Sequence, residues 1–367
     1  MKYIRYFFFV LLLLIVSGCG ERSLYNEPKF KSEIKGKYEI LTPEDLTFGN
    51  RYISDIYVYK SYIIIVGYNS NSFVHIYDKT SGKLIRNAVG EGRGPGEMLS
   101  VMANCSAFDA ESGILMLKDA MLGNKLVCNI EEMIADVPGA IVNDFCESNM
   151  MKEVASFDLN NENRRVVKNC SPTARDTTVV WRFCIKDSDD NYLTRYYNYP
   201  LPYNRENLAW WRVYNEPCLA ISPDKKKLAV GISVGAILET FEIDGVRILP
   251  KSESLFIDAQ IVNNKLPDHI TGFADIFATN DVVYCIYDGE NYALSELPNN
   301  AVRHRYVTSF TWNGKPLKKI DMGINMRRIC IDESDNTLYA IANIDDEIGD
   351  RIIKYRLSKE PKTFFYE

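Results

Sequence analysis

The stretch Gly90-Glu91-Gly92-Arg93-Gly94-Pro95-Gly96-Glu97-Met98 has glycine at every second position from 90 to 96. Alternate residues of an extended chain point to the same side, so one side of this stretch carries no side chain. Glycine inside a strand usually marks a bend or the close approach of another backbone, and Pro95 fixes φ and removes an N–H donor. We interpret the stretch as the link between two repeats of a β-rich array. Its structural motif comprises Gly90, Gly92, Gly94, Pro95, Gly96 and Glu97.

Around this link, one pattern recurs six times: a short alternating run, a polar turn and a second apolar run. The copies start at Ile53, Cys105, Val154, Cys218, Phe273 and Ile329, in steps of 52, 49, 64, 55 and 56 residues. Repeats of this length are typical of propeller blades, which have four strands each and form closed rings. The sequence therefore predicts an all-β fold, a six-bladed β-propeller.

The outer strands and the ring closure are also indicated. Asp244-Gly245 and Asn313-Gly314 are strong hairpin signals, because the turn needs positive φ at both central positions. The sixth copy shows three strands, and the segment Tyr38 to Phe48 is the candidate for its fourth. Pairing this N-terminal strand there would close the ring and remove open sheet edges. A β-sandwich or two smaller β domains are the alternatives.

The N-terminal residues predict export and lipidation. Lys2 and Arg5 precede an unbroken apolar run of ten residues, Phe7 to Val16. This run is shorter than the ~20 residues of a membrane span and is typical of a signal peptide core. It ends in Val16-Ser17-Gly18-Cys19, which is similar to a bacterial lipobox. A cleaved signal peptide with a chance cysteine is the alternative.

Three segments follow from this prediction. We expect a lipoprotein signal peptide at 1–18, a lipidated Cys19 with a polar tether at 19–37, and a propeller domain at 38–367. Diacylglycerol and a fatty acyl chain such as palmitate on Cys19 would anchor the domain stably, since each buried CH₂ contributes ~0.8 kcal/mol. The expected location is the bacterial cell envelope, with the outer membrane favoured and the leaflet left open.

Several of these features together resemble a known family, the TolB-like six-bladed β-propeller lipoproteins of Gram-negative bacteria. They are the lipobox, the tether, the glycine stretch at 90–97 and the turn Ile221-Ser222-Pro223-Asp224-Lys225-Lys226-Lys227-Leu228. The resemblance covers most of the mature chain, and residues 90–97 are its most specific part. It implies the fold and the location, and it brings no catalytic residues, because that family is mostly uncharacterised.

The composition restricts the partners. The formal charge is −6, and loss of Lys2 and Arg5 with the signal peptide would make it −8. An acidic protein is a poor candidate for nucleic-acid binding. The three histidines do not have metal-ligand spacing, and we expect neither a metal nor a cofactor. Four cysteines lie in apolar runs and are expected to be buried thiols, with one or two disulfides as the alternative: Cys184, Cys218, Cys285 and Cys330.

The stretch from Tyr192 to Tyr214 is the candidate binding surface. Aromatic and arginine side chains are enriched at binding surfaces, and flat rings suit sugar faces. The candidate ligand-binding residues are Tyr196, Tyr197, Tyr203, Trp210, Trp211 and Arg212. The stretch also accounts for the 64-residue step, as an insertion between the third and fourth blades. Alternatively, half of it forms outer strands of the third blade.

We expect a protein that binds rather than transforms its ligand. The first hypothesis is a lipid-anchored scaffold with a propeller face for an envelope protein. The second is a glycan or small-ligand module that uses residues 192–214. The third is an envelope hydrolase with carboxylates at the channel mouth or a nucleophile in Gly231-Ile232-Ser233-Val234-Gly235. A nucleophile elbow needs a strand, a strained turn and a helix, whereas the sequence after Ser233 leads into a hairpin.

Overall fold

The computed structural model describes fifteen stretches of the chain: residues 39–40, 44–46, 52–101, 106–119, 121–144, 153–159, 164–169, 181–189, 191–197, 217–257, 269–270, 272–287, 292–293, 304–345 and 349–357. Nearly all of these residues lie in strands and tight turns. Two short strands come first, β1 (Glu39–Ile40) and β2 (Glu44–Leu46).

The next four sheets each contain four consecutive antiparallel strands. Blade 1 comprises β3 (Asp55–Tyr59), β4 (Tyr62–Asn69), β5 (Ser72–Asp78) and β6 (Leu84–Gly90). Blade 2 comprises β7 (Ala107–Asp109), β8 (Ile114–Lys118), β9 (Lys125–Asn129) and β10 (Ile141–Asp144), with helix α1 (Ile130–Ile134) between the last two. Blade 3 comprises β11 (Glu153–Leu159), β12 (Arg164–Asn169), β13 (Phe183–Lys186) and β14 (Tyr192–Tyr196). Blade 4 comprises β15 (Cys218–Ile221), β16 (Lys227–Ile232), β17 (Ala236–Asp244) and β18 (Arg247–Ile257).

The last two sheets include strands from both ends of the domain. Blade 5 comprises β20 (Asp275–Ala278), β21 (Val282–Ile286), β23 (Tyr306–Thr311) and β24 (Pro316–Asp321). Blade 6 comprises β25 (Met326–Asp332), β26 (Thr337–Asp345) and β27 (Gly349–Arg356), joined by β2. A separate two-stranded ribbon pairs β19 (His269–Ile270) with β22 (Tyr292–Ala293). The predicted six-bladed β-propeller is confirmed.

The ring is closed by the N-terminal segment, as the sequence predicted. Strand β2 pairs antiparallel with β27, with Leu46 opposite Ile352. Strand β1, by contrast, pairs parallel with β24 on the outer edge of blade 5, where Glu39 lies opposite Ile320. The sequence did not predict this second pairing. The N-terminal segment therefore joins two neighbouring blades and covers the outer edge of each.

The core is divided among the interfaces between blades. The described residues form five apolar clusters, one at each of five blade interfaces. At the closing interface, Ile56 and Ile63 of blade 1 pack with Tyr339 of blade 6, and all three are almost fully buried. Burying one such side chain contributes roughly 1.5–3 kcal/mol, so apolar packing between blades is the main stabilisation.

The glycine stretch connects β6 of blade 1 to blade 2 and folds back on itself. The Met98 N–H donates to the Gly90 carbonyl at 3.0 Å, and the Gly94 N–H donates to Glu97 Oε2 at 2.7 Å. A Cβ added at Gly92 would lie 1.9 Å from Glu97 Oε2. The Glu97 carboxylate therefore occupies the space on the side of the stretch that carries no side chains.

Two further features concern the sequence interpretation. Within the described residues, no helix has the length and apolarity that crossing a membrane requires.

Ser233 lies in the turn between β16 and β17. These two strands pair as a hairpin, without the helix that a nucleophile elbow requires.

Candidate functional site: the central channel

The first strands of blades 1, 2, 4, 5 and 6 border a central channel. Within the described part of the chain, the channel contains a cavity of about 750 Å³ lined by residues of blades 1, 2, 4, 5 and 6. The side chains of most of β11, the corresponding strand of blade 3, are outside the described residues. A cavity of this volume is within the range of small-molecule sites.

A polar cluster lies where the inner strands begin. Arg328 of β25 donates from Nε to Asp55 Oδ1 at 3.1 Å and from Nη1 to Asp275 Oδ1 at 2.8 Å. The Ile329 N–H donates to the other oxygen of Asp275 at 2.8 Å. The Ser106 hydroxyl donates to Asp55 Oδ2. The cluster therefore links blades 5, 6, 1 and 2 across the channel.

Burial governs the ionisation of these groups. Burial raises the pKa of the Asp275 carboxyl, and the nearby Arg328 cation only partly offsets this. Burial also raises the pKa of the Tyr57 phenol well above its ordinary value, and the Asp55 carboxylate adds to the increase. Burial alone would lower the pKa of the Arg328 guanidinium, but Asp275 and Asp55 raise it. Arg328 therefore stays charged between the two carboxyl groups.

Aromatic and aliphatic side chains form the wall beyond this cluster. Tyr57, Phe108, Leu219 and Phe277 line the cavity and are half-buried. The rings of Tyr57 and Phe108 contact each other across the boundary of blades 1 and 2, with centroids 5.2 Å apart. The cavity thus combines an apolar wall with a charged end, the usual construction of a ligand pocket.

Charged side chains also surround the opposite end of the inner strands. Lys225, in the turn after β15, donates from Nζ to Asp109 Oδ2 of blade 2 at 2.8 Å. Lys225 has a left-handed backbone with φ of 59°. Burial raises the pKa of the Asp109 carboxyl, but hydrogen bonds from Lys225 and Ser112 outweigh burial and lower it. This ion pair joins blades 2 and 4.

Two of the described cysteines line the cavity, Cys218 and Cys330, and the Cys218 thiol donates to the carbonyl oxygens of Phe273 and Ala274. Cys218 lines the cavity and is half-buried, whereas the described thiols of Cys184, Cys285 and Cys330 are buried. The predicted buried thiols are thus confirmed for these three. Burial raises the pKa of the Cys330 thiol to about 12, which makes it unreactive at neutral pH.

The predicted aromatic surface is only partly described. Tyr192 to Tyr196 forms β14, the outer strand of blade 3, so this part is not an insertion. Tyr196 stacks on Phe183 with centroids 4.7 Å apart and packs against the core between blades 3 and 4. Tyr197 is exposed. The other candidate residues lie outside the described residues: Tyr203, Trp210, Trp211, Arg212 and the lipidation site Cys19.

Sequence reasoning missed the channel cluster, although a signal was present. Asp55, Ser106, Asp275 and Arg328 all lie within two residues of the predicted start of a repeat. Aligning the repeats by their starts would have placed one polar residue near the same end of each of these four inner strands.

The fold and the channel define the class of protein: a six-bladed β-propeller with a polar cluster inside a partly apolar central cavity. The model of the TolB-like 6-blade propeller-like family matches residues 29–334, which is most of the chain. The chain therefore belongs to the TolB-like six-bladed propeller family, and the resemblance seen in the sequence is confirmed.

Solved structures agree with this fold. A protein of Bacteroides fragilis described as exported is 12% identical with a TM-score of 0.54, covering 87% of this chain and 95% of its own. A member of the DUF4221 family from Bacteroides vulgatus is 11% identical with a TM-score of 0.54, covering 88% of this chain and 98% of its own. No curated protein sequence matches the chain significantly.

Proposed function

We propose that the protein is a lipid-anchored binding protein of the bacterial cell envelope, and that it binds a small ligand in its central channel. The observation that carries the proposal is the 750 Å³ cavity with an apolar wall and a buried polar end. Pockets of this construction are the default binding sites of folded proteins. The lipobox around Cys19 supports the anchor, and the family supports an exported propeller.

The hydrogen bonds in the cluster support binding rather than catalysis. Asp55 accepts from Arg328 and Ser106 and also from Ser54 Oγ at 2.8 Å, and Asp275 accepts from Arg328 and Ile329. A general base needs a lone pair directed at the proton that it abstracts. These hydrogen bonds hold neighbouring strands together, while Asp55 Oδ1 and both oxygens of Asp275, which accept one bond each, keep a further lone pair for a bound donor.

A fragment screen by ligand-observed NMR on the full chain tests the proposal. Ala110 lies exposed at the rim of the cavity, so Ala110→Trp should occlude the mouth at little cost to folding. Ala135→Trp, at the exposed end of α1, is the matched control. We expect hits whose binding is lost in Ala110→Trp and kept in Ala135→Trp. Hits that bind both variants equally, or that are converted to products, would contradict the proposal.

Labelling of the channel thiol gives an independent measurement. Iodoacetamide should modify Cys218, and the buried Cys184 and Cys285, which do not line the cavity, serve as internal controls in the same digest. A hit bound in the channel should slow modification of Cys218 alone. Equal labelling of all three thiols would show that the channel is not a distinct compartment.

The scaffold and glycan hypotheses remain predictions. Cross-linking in intact cells would test the first, by recovery of an envelope protein attached to one propeller face. Loss of glycan binding on Trp210→Ala or Trp211→Ala would test the second.

A further inference from the structure

The cavity has an excess of acidic side chains. Within the described lining there are seven acidic residues and three basic ones, Lys60, Lys225 and Arg328, and one of the acids, Asp332, pairs with Lys79 outside the lining. A cavity lined by one sign of charge concentrates ligands of the opposite sign.

Each basic side chain of this lining already pairs with a carboxylate. Lys225 binds Asp109, and Arg328 lies between Asp55 and Asp275. Lys60 pairs with Glu131 of helix α1, which does not line the cavity, and both side chains are exposed. An anionic ligand would therefore compete with a carboxylate for each of these three cations.

The buried end of the channel carries the same imbalance. Two carboxyl groups share one guanidinium there, so the fully ionised cluster has one uncompensated negative charge. An uncompensated buried charge is costly, and proteins remove the cost by protonation or by a counter-ion. Burial raises the pKa of the Asp275 carboxyl and so favours its protonation, which is the first way to remove the charge. A bound cation would provide the second.

The wall suits the same kind of ligand. Tyr57, Phe108 and Phe277 present aromatic rings to the cavity next to the cluster. Aromatic faces attract cations, and the attraction is stronger where water is excluded. Resting on the channel-binding function proposed above, we propose that the ligand is a small organic cation, an amine with an apolar body. Its ammonium group lies beside Asp55 and Asp275, and its body lies against the aromatic wall.

Three probes of nearly equal size test the charge preference on the full chain: 2-phenylethylamine, 2-phenylethanol and phenylacetate. Their affinities are measured at neutral pH by ligand-observed NMR, and Cys218 protection reports binding in the channel. We expect the amine to bind about tenfold more tightly than the alcohol, with phenylacetate weakest. Ala110→Trp should abolish binding of the amine.

Asp275→Asn removes one carboxylate and keeps a side chain of the same shape. We expect the preference for the amine over the alcohol to fall about tenfold, to near equality. Asp136→Asn, an exposed position after α1, is the matched control and should keep the preference. Thermal melting checks that both variants fold, and if Asp275→Asn does not, the three-probe comparison on the unaltered chain decides.

The outcomes separate the two proposals. Equal affinity for the amine and the alcohol, or tighter binding of phenylacetate, overturns the cation preference while channel binding stands. Failure of all three probes to protect Cys218 overturns both.

Discussion

Gly92 shows how one absent side chain fixes a loop. The Glu97 carboxylate occupies the space beside Gly92 and accepts the Gly94 N–H. The loop thus supplies, through Glu97, the hydrogen-bond acceptor for its own Gly94 N–H.

We expect Gly92→Ala to displace the Glu97 carboxylate and to lower the free energy of unfolding by about 1 kcal/mol, the value of one hydrogen bond. Urea unfolding measures the change. In a Glu97→Ala background the same substitution should cost much less, because the clashing group is gone. Equal costs in both backgrounds would show that Glu97 does not mediate the effect.

Arg328 is the residue on which the channel cluster depends. Arg328→Met would leave Asp55 and Asp275 buried without their cation. Removing one partner of a buried ion pair typically costs roughly 3–5 kcal/mol, and we expect a loss of that order in chemical denaturation. Arg247→Met, which removes an exposed ion pair with Asp244, is the control and should leave stability unchanged. A comparable loss in both variants would contradict a special role for the cluster.

At the scale of elements, β2 is the short N-terminal strand that closes the ring, as the sequence predicted. It has three residues and completes blade 6. Leu46 is its apolar contribution and packs against the core between blades 6 and 1.

We expect Leu46→Asp to detach β2, because the substitution places a charge against that core. Hydrogen exchange should accelerate in β27 and spare blades 2 to 4. Glu44→Gln lies in the same strand with an exposed side chain and should exchange like the unaltered chain. Uniform acceleration over all blades would indicate that the ring unfolds as one unit.

The hairpins could be predicted from sequence because their signals are local. Asp244-Gly245 and Asn313-Gly314 mark turns between strands that pair in the structure. The pairing of β1 with β24 could not be predicted. The two strands lie far apart in the sequence, and they pair over only two residues, which is too short for a periodic pattern to show. The channel cluster was missed for a related reason. Arg328 and Asp55 are 273 positions apart and meet only when the ring closes.

At the scale of the whole molecule, the Asp109–Lys225 pair predicts how stability depends on pH. The pKa of Asp109 in the folded state is below its ordinary value of 3.8. Its stabilising contribution is therefore present above pH 3.8 and is lost as the pH falls through the lower folded value. We expect Asp109→Asn to be less stable than the unaltered chain at pH 6, with the difference shrinking towards pH 3. Urea unfolding at several pH values measures it, with Asp136→Asn as the control. A difference independent of pH would contradict this origin.

Anchoring is a second property of the whole molecule. We expect Cys19→Ala to move the protein from the membrane fraction to the soluble fraction and to abolish incorporation of radiolabelled palmitate. Cys218→Ala is the matched control, because it removes a thiol inside the channel and leaves the lipobox intact. Retention of Cys19→Ala in the membrane fraction would contradict anchoring through this residue.

The two short pairings of the N-terminal segment also determine how the molecule responds to mechanical load. A pull on this segment reaches β1 first, which holds to β24 over two residues, and then β2, which holds to β27 over three. The β1 pairing covers fewer residues than any described pairing inside a blade, so it yields at the lowest force, whereas the β2 pairing is as short as that of β7 with β8. Tension along the N-terminal segment would therefore release β1 from blade 5 first and then load β2, the strand that closes the ring.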